Sequence, residues 1–280
     1  MANIINGKEI SAKIREELKA EASKMAVRPG LAVILVGEDP ASQVYVRNKE
    51  KACIELGYYS EKYTLPSDTK MEDLLDLIDV LNKSEKIHGI LVQLPLPKHL
   101  DEEKVILAID PSKDVDAFHP TNVGKIMIGN HSFLPCTPAG VMELLKYSGI
   151  DVNGKDCVVI GRSNIVGKPQ AMLLLHENAT VTICHSRTKD LKEVCSRADI
   201  LVSAVGRAGF VTADMVKEGA VVIDVGINRN EEGKLCGDVL FDEVEPKASY
   251  ITPVPGGVGP MTITMLMKNT LTAAKNAQKA

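Results

Sequence analysis

The sequence predicts two α/β domains in series, the second of which is built on a doubly wound sheet. Two observations carry this prediction. Apolar runs of strand length alternate with amphipathic segments of helix length along almost the whole chain, as in parallel sheets that helices cover on both faces. The alternation pauses at residues 110–125, which are rich in Pro, Asp and Gly. We therefore place a domain boundary there, with residues 1–118 in the first domain and 119–261 in the second.

The elements of the first domain follow from two continuous apolar runs. Residues 31–37 (LAVILVG) and 89–96 (GILVQLPL) are long enough for buried strands, and Gly or Pro marks their ends. The amphipathic segments 42–56 and 71–82 have the length and spacing of helices. Together these elements predict a small parallel sheet with helices packed on it.

The second domain opens with a helix that the pair Thr137-Pro138 would begin as N-cap and first helical residue. Apolar runs then follow, with helical segments between the first four, at residues 157–161, 180–184, 200–205, 220–226 and 249–254. Repeated βαβ units predict a doubly wound sheet of the Rossmann type. A last helix, at about residues 262–280, lies beyond this sheet and is expected to pack back on the first domain.

Composition excludes several classes of function. The 280 residues are 45% hydrophobic and 25% charged, with a formal net charge of −4, so no polybasic surface favours nucleic acid. No stretch approaches the roughly 18 apolar residues of a membrane span, and the N-terminal residues lack a signal-peptide pattern. The six cysteines are scattered without a CxxC pair, which favours reduced thiols in the cytoplasm. No His, Cys or Asp cluster has metal-ligand spacing, so we expect no metal.

Residues 158–175 predict a nucleotide-binding loop. A buried strand leads into a tight turn between Gly161 and Gly167, and an apolar helix follows. The N-terminus of that helix would suit a pyrophosphate. The match to G-x-G-x-x-G is imperfect, because Ser163 stands at the second glycine and the last spacing is longer. An ordinary βα turn of an unrelated α/β domain remains the alternative.

The end of the next strand favours NADP over NAD. NAD sites usually carry an acidic residue there for the ribose 2′-hydroxyl, whereas this chain has Ser186 and Arg187 and no carboxylate before Asp190. A hydroxyl and a guanidinium would attract a 2′-phosphate, and Arg162 could serve as a second cation. The alternative is that Arg187 is a solvated loop residue.

Lys49 is a cation on an apolar helix face, one turn after Tyr45. Desolvation would lower its pKa and make it available for proton transfer. Gln93, inside an apolar strand, and Asp116, at the domain boundary, could meet it. The alternatives are a lysine that extends to solvent and a loop carboxylate, Asp116, that caps a turn.

Taken together, these motifs resemble a known family. YVRNK, VQLPLP, KDVDAFH, PCTPAG, GRSNIVGKP, CHSRT, DVGIN, GDV and ITPVPGGVGPMT occur in that order between about Ile5 and Leu271. The chain is thereby similar to the bifunctional methylenetetrahydrofolate dehydrogenase/methenyltetrahydrofolate cyclohydrolase family. The resemblance implies NADP-dependent oxidation of 5,10-methylene-tetrahydrofolate and hydrolysis of the methenyl product to 10-formyl-tetrahydrofolate. It also implies a cytoplasmic homodimer with an active-site cleft between two domains and a place in purine biosynthesis.

The resemblance assigns roles to individual residues. It implies that Lys49 transfers protons in the hydrolysis, that Gln93 hydrogen-bonds Lys49, that Asp116 anchors the pterin and that Tyr45 orients it. The implied folate-lining backbone is Pro255, Gly256 and Gly259. The implied cofactor contacts are Thr137, Gly161, Arg162, Ser163, Ile165, Ser186, Arg187, Ala204, Ile227 and Thr262.

Three other functions are compatible with parts of the sequence. A dehydrogenase without hydrolase activity would not need Lys49. A non-catalytic folate- or nucleotide-binding protein would keep the loops but not turnover. An unrelated small-molecule dehydrogenase would explain the second half of the chain and leave YVRNK and VQLPLP unexplained.

Overall fold

The structure, a computed structural model, describes residues 1–279. It contains two compact units. The six-stranded unit comprises Met1–Ala12 and Thr137–Thr262, and the three-stranded unit comprises Lys13–Cys136 and the residues from Ile263 onward. The domain boundaries expected from the sequence remain a prediction.

Strands and helices alternate along most of the chain. The strands are β1 (Asn3–Ile4), β2 (Gly30–Val36), β3 (Tyr59–Leu65), β4 (Gly89–Val92), β5 (Asp156–Ile160), β6 (Thr180–Cys184), β7 (Ile200–Ser203), β8 (Val221–Asp224), β9 (Asn228–Arg229), β10 (Leu235–Cys236) and β11 (Tyr250–Ile251). The α-helices are α1 (Gly7–Ala22), α2 (Pro40–Leu56), α3 (Met71–Lys83), α4 (Glu102–Ala108), α5 (Pro120–Met127), α6 (Cys136–Tyr147), α7 (Gly167–His176), α8 (Leu191–Cys195), α9 (Phe241–Val244) and α10 (Val258–Ala277).

The three-stranded unit is organised around β2. Parallel pairing gives the order β3-β2-β4, and all residues of the apolar strand β2 are buried. Leu74, Ile78 and Leu81 of α3 pack with strand residues such as Ile34 in one core cluster. The strand β4 ends at Val92, before the predicted residue 96, because the prolines that follow cannot donate to the ladder.

The six-stranded unit contains a fully parallel sheet in the order β1-β11-β8-β7-β5-β6. The predicted α/β fold with a parallel sheet is therefore confirmed. β5 has β6 on one side and β7 on the other, so the strand order reverses at β5, and ligands of such sheets bind outside the carboxyl ends of the strands at this switch point. Between β7 and β8 the helical segment is only a 3₁₀ turn, Ala213–Met215.

The chain termini differ from the sequence-based expectation in two respects. The sequence places the N-terminal residues with the first domain, whereas β1 pairs with β11 of the six-stranded sheet. A two-residue strand is too short to show a periodic pattern. At the other end, α10 begins at Val258, within the glycine-rich segment, and not at about residue 262 as expected. Met267 of this helix contacts Cys53 (Cys53 Sγ to Met267 Sδ, 3.7 Å), and its carbonyl oxygen accepts a hydrogen bond from the Tyr58 hydroxyl (3.3 Å).

We predict that α3 stabilises its unit through its buried face alone. Ile78 is fully buried (0%) and Val80, on the same helix, is 62% exposed. Ile78→Ala should lower the free energy of unfolding by about 2–5 kcal/mol, because it leaves a cavity. The matched control Val80→Ala should change it by less than about 0.5 kcal/mol. Urea unfolding followed by circular dichroism measures both, and equal effects would contradict the assignment of these faces.

Candidate active site

Lys49 is positioned by a well-defined helix. Asp39 caps α2, since its carboxylate accepts a hydrogen bond from the Ser42 N–H (2.7 Å), and Gly57 ends the helix in the left-handed conformation. On this helix the Lys49 Nζ donates to the Gln93 Oε1 at 2.9 Å. The side chain therefore binds another residue rather than extending to solvent.

Gln93 is held in place from both sides. Its backbone N–H donates to the carbonyl of Ile34, so it continues the ladder between β4 and β2 by one residue. Its side-chain Nε2 donates to the Leu94 carbonyl at 2.7 Å. With the amide group engaged in this way, the oxygen is directed to Lys49. The half-buried amide of Gln93 thus has a hydrogen-bond partner at its nitrogen and at its oxygen.

Desolvation dominates the charge state of Lys49 and Asp116. Each side chain is half-buried by surface area, yet each lies among enough protein atoms for burial to be the main influence on its pKa. Burial lowers the pKa of Lys49 from its ordinary value, with a smaller opposing effect of Asp116. Burial raises the pKa of Asp116, which Lys49 partly offsets. Both shifts favour the uncharged forms, so an amine free to accept a proton exists closer to neutrality.

The loop that carries Asp116 is fixed by a neighbouring carboxylate. Asp114 is buried and accepts hydrogen bonds from the His119 N–H (2.8 Å) and the Asn122 Nδ2 (2.8 Å). Ala117, next to Asp116, has a φ of +58°, a conformation that costs energy for a residue with a Cβ. The hydrogen bonds to Asp114 thus hold the loop in a fixed shape, and this loop places Asp116.

Cys136 is the site residue that the sequence analysis missed. Its Sγ lies 3.4 Å from the Asp116 Oδ1 and 3.6 Å from the Val115 carbonyl oxygen. Burial and the adjacent Asp116 raise the pKa of this thiol, so it remains protonated and can donate. Asn269 supports the same loop through its Nδ2, which donates to the carbonyls of Val115 and Leu134 at 2.8 Å each. Its position in the motif PCTPAG, directly before Thr137, could have identified Cys136 as a site residue.

Tyr45 lies one turn before Lys49 on α2 and is 39% exposed. Its hydroxyl makes no hydrogen bond with another residue in the range 1–279. An exposed ring can contact a flat ligand, and the orienting role that the family resemblance implies for Tyr45 remains a prediction.

The nucleotide loop requires bare backbone at two positions. Gly161 follows β5 with a φ of +133°, and a Cβ there would lie 2.4 Å from the Ala204 carbonyl oxygen. A Cβ on Gly167 would lie 2.2 Å from the Gly161 carbonyl oxygen. Because Gly161 follows β5 and Ala204 follows β7, this close approach occurs at the switch point of the sheet. Both glycines are thus needed by the fold of the loop, because neighbouring backbone occupies the space that a side chain would fill.

Ser163 caps the turn. Its Oγ accepts hydrogen bonds from the Val166 and Gly167 N–H groups at 3.2 Å each. The first N–H groups of α7 therefore already have a partner within the protein. Ile165 of the same loop is 41% exposed.

The residues expected to select the cofactor lie in exposed loops. Ser186 and Arg187 are exposed after β6, in a turn closed by the His185 N–H, which donates to the Thr188 Oγ1 at 2.8 Å. Neither Arg187 nor Arg162 forms a side-chain hydrogen bond or ion pair with another residue of the described chain. Two unpaired guanidinium groups fit a ligand with an additional phosphate.

The other expected cofactor contacts also fall in the six-stranded unit. Thr137 and Thr262 lie within hydrogen-bond distance, with their hydroxyl oxygens 3.0 Å apart. Ile227 is 48% exposed, and its Cδ1 is the nearest atom, at 3.9 Å, to the position of a Cβ on Gly259. The loop between Gly161 and Gly167 lies at the switch point of the sheet. Together with the unpaired guanidinium groups and the exposed apolar side chains, this loop fits a nicotinamide dinucleotide.

The glycines of 253–262 have different structural reasons. Gly256 has a φ of +110°, which side chains rarely adopt, and the neighbouring Pro255 is exposed. A Cβ on Gly257 would lie 2.6 Å from the Pro253 carbonyl oxygen. Gly259 is in the first turn of α10 and has ordinary space. The segment is therefore a packed turn rather than a linker.

Residues 1–279 contain neither a membrane-spanning helix nor a metal-binding cluster. None of the described helices combines the length and apolar character that would let it cross a membrane. No group of three or more His, Cys, Asp or Glu residues in this range could hold a metal ion.

Comparison with known proteins gives one consistent family. Residues 5–116 match the model of the tetrahydrofolate dehydrogenase/cyclohydrolase catalytic domain, and residues 135–278 match that of its NAD(P)-binding domain. The bifunctional protein FolD of Acetivibrio thermocellus is 67% identical over 98% of this chain and 97% of its own length.

Solved structures agree with the sequence comparison. The bifunctional FolD methylenetetrahydrofolate dehydrogenase/cyclohydrolase of Campylobacter jejuni superposes with a TM-score of 0.96 and is 54% identical, with 99% of each chain covered. The Trypanosoma brucei dehydrogenase-cyclohydrolase, complexed with NADP and an inhibitor, has a TM-score of 0.95 and 43% identity over 100% of this chain and 99% of that chain.

We predict that Lys49 titrates below the ordinary lysine value of 10.5. Since the pKa is lowered in the folded state, protonation opposes folding, and the contribution of Lys49 to stability is lost as the pH falls through its folded pKa. NMR of protein labelled with ¹³C at lysine Cε measures the midpoint, and Lys49→Met identifies the signal by its disappearance. A midpoint at or above 10.5 would contradict the desolvated site.

Proposed function

This chain belongs to the tetrahydrofolate dehydrogenase/cyclohydrolase family, and we propose that it oxidises 5,10-methylene-tetrahydrofolate with NADP and hydrolyses the 5,10-methenyl product to 10-formyl-tetrahydrofolate. The observation that carries the bifunctional proposal is the hydrogen bond between Lys49 and Gln93, in surroundings that desolvate both Lys49 and Asp116. A dehydrogenase alone needs no proton acceptor of this kind.

The hydrolysis requires three proton movements. Water adds to the methenyl carbon and gives up a first proton. A ring nitrogen then gains a second proton as its bond to that carbon breaks, and the hydroxyl group on the carbon gives up a third, to solvent, as the formyl carbonyl forms. In our proposal the uncharged Lys49 amine accepts the first proton and donates the second. Gln93 orients the amine, because its Oε1 accepts one of the Lys49 N–H bonds at 2.9 Å. The net reaction releases one proton to solvent.

Asp116 and Tyr45 bind and orient the substrate in this proposal. Burial raises the pKa of Asp116 and so favours its protonated carboxyl group. Such a group can both donate to and accept from the adjacent nitrogen atoms of a pterin ring. Cys136 directs its thiol to Asp116 and so fixes which carboxyl oxygen faces the ligand.

The oxidation depends on positioning by the six-stranded unit. NADP, when bound, supplies the hydride acceptor. Gly161 and Gly167 permit the tight loop at the switch point that we propose meets the cofactor, and Arg162 and Arg187 offer positive charge. The remaining residues proposed to line the cofactor are Thr137, Ser163, Ile165, Ser186, Ala204, Ile227 and Thr262. Pro255, Gly256 and Gly259 are proposed to line the folate with backbone.

The preference for NADP rests on charge. No carboxylate occupies the end of β6, and the guanidinium groups of Arg162 and Arg187 are unpaired among the described residues. The Trypanosoma brucei relative is a complex with NADP, which supports the same choice. By the same resemblance we propose a cytoplasmic homodimer that acts in purine biosynthesis, binds neither nucleic acid nor membrane, and needs no metal. Light scattering tests the dimer.

We predict that Lys49→Met abolishes hydrolysis and leaves substrate binding intact. Removal of a general acid–base group should slow the hydrolysis of 5,10-methenyl-tetrahydrofolate by about 100-fold or more. The decay of the methenyl chromophore measures this rate, and its formation with NADP measures the oxidation. The control Lys51→Met changes an exposed lysine of the same helix and should leave both rates unchanged. Hydrolysis at the full rate by Lys49→Met would refute the role of Lys49 in proton transfer. A wild-type protein inactive with both NADP and NAD would refute the proposal that the protein is an enzyme.

A second prediction concerns the cofactor. Arg187→Ala should raise the KM for NADP by about tenfold or more, because a hydrogen bond to a charged group is lost. The KM for NAD should change little, since NAD lacks the 2′-phosphate; Arg162→Ala should act in the same direction. Lys189→Ala, an exposed cation of the same loop, is the control. Equal effects on both cofactors would exclude a role in 2′-phosphate binding.

A further inference from the structure

Asp238 is a buried carboxylate that has no part in the proposed chemistry. It follows β10 and has no exposed surface. Its two oxygens accept five hydrogen bonds, from the Ser203 Oγ (3.2 Å), the Val205 N–H (2.8 Å), the Gly206 N–H (3.3 Å), the Arg207 N–H (2.9 Å) and the Asn228 Nδ2 (3.0 Å). All five partners are uncharged donors.

These donors come from two separate segments. Residues 203–207 form the end of β7 and the loop after it, and Asn228 belongs to the segment that follows β8. Strands β7 and β8 are parallel neighbours, so both segments leave the same end of the sheet. One carboxylate therefore fixes the two loops relative to each other.

Both segments carry expected cofactor contacts. Ala204 lies in the first, and its carbonyl oxygen is the atom that a Cβ on Gly161 would approach to 2.4 Å. Ile227 lies in the second, directly before Asn228, with an exposed side chain. Asp238 itself is too deeply buried to touch a ligand, so any effect on the cofactor acts through these loops.

A second buried carboxylate supports the first. Asp224, the last residue of β8, accepts from the Asp238 N–H and the Val239 N–H at 2.9 Å each. Two glycines make room for the pair: a Cβ on Gly226 would lie 2.2 Å from the Asp238 Oδ1, and one on Gly237 would lie 1.8 Å from the Asp224 Oδ2. No residue in the range 1–279 forms a salt bridge with either carboxylate.

This arrangement is costly to build. A buried charge without a counter-ion must be offset by hydrogen bonds, and two such groups side by side also repel. Burial raises the pKa of Asp224 to about 6. If the loops only had to be folded, uncharged side chains could satisfy the same N–H groups at lower cost. Because the Asp238 carboxylate binds both loops at once, it adds a rigid arrangement of the two loops.

We propose that Asp238 is a positioning residue for the oxidation step, which holds the loops of Ala204 and Ile227 where the nicotinamide cofactor needs them. This inference rests on the proposed function. It separates the two activities, because the proposed hydrolysis residues Lys49, Gln93 and Asp116 belong to the other compact unit.

The test uses Asp238→Asn in the full-length enzyme, with Asp242→Asn, an exposed carboxylate of α9, as the control. The amide has the same shape but offers an N–H₂ group where two N–H donors of the protein point. Calorimetry should show NADP binding about 10- to 100-fold weaker, as expected from loss of a charge-assisted hydrogen bond. Oxidation should fall by at least as much, while hydrolysis of the methenyl substrate stays within about twofold. Hydrogen exchange in the cofactor-free protein should be faster at the amides of Val205, Gly206 or Arg207.

Asn228→Ala provides a milder variant in case Asp238→Asn folds poorly. It removes one donor and frees only the loop of Ile227, so oxidation should slow while the exchange of the amides at 205–207 is unchanged. Equal losses of oxidation and hydrolysis in Asp238→Asn, or unchanged NADP binding and amide exchange, would overturn the inference. A wild-type enzyme that hydrolyses the methenyl substrate but oxidises nothing with NADP or NAD would instead refute the proposed function.

Discussion

The proposed hydrolysis depends on keeping water away from one amine. A solvated lysine is protonated near neutrality and cannot accept a proton, whereas burial lowers the pKa of Lys49. The three-stranded unit supplies that environment: β2 is buried along its whole length and Gln93 replaces water as the hydrogen-bond partner. Asp116 would hold the amine protonated if it were fully ionised, but its own burial raises its pKa and weakens that effect.

Buried carboxylates fix the loops of both units by the same physical means. Asp114 accepts hydrogen bonds from N–H groups of the loop around Asp116, and Asp238 accepts them from N–H groups of the loops after β7 and β8. Parallel strands end at one edge of a sheet, where their loops have no ladder partners. A carboxylate with two oxygens can accept several N–H bonds at once, so it can define the shape of such a loop where backbone pairing cannot. The cost of burying the charge is offset only when nearly every acceptor position is used, as at Asp238.

Much of the fold could be predicted from the sequence because it depends on local patterns. The apolar runs of β2 and β5 and the helical spacing of α2 and α3 need no knowledge of distant residues. The loop between Gly161 and Gly167 was recognisable for the same reason, since strand, turn and helix are consecutive. The short strand β1 was not, because two residues carry no period and their place is decided by pairing with β11.

The sequence by itself determined the α/β class, the family and the chemical types present: an amine on an apolar helix face, an amide in a strand and guanidinium groups without an acidic neighbour. Only the tertiary structure decided which of these meet. The hydrogen bond from Lys49 to Gln93 is between residues 44 positions apart in the sequence, and the hydrogen bond from Cys136 to Asp116 is between residues 20 positions apart. The hydrogen bonds of Asp238 were likewise invisible in the sequence, because their donors lie up to 35 residues away. Desolvation depends on everything that surrounds a group in space, and a linear pattern records only what precedes and follows it.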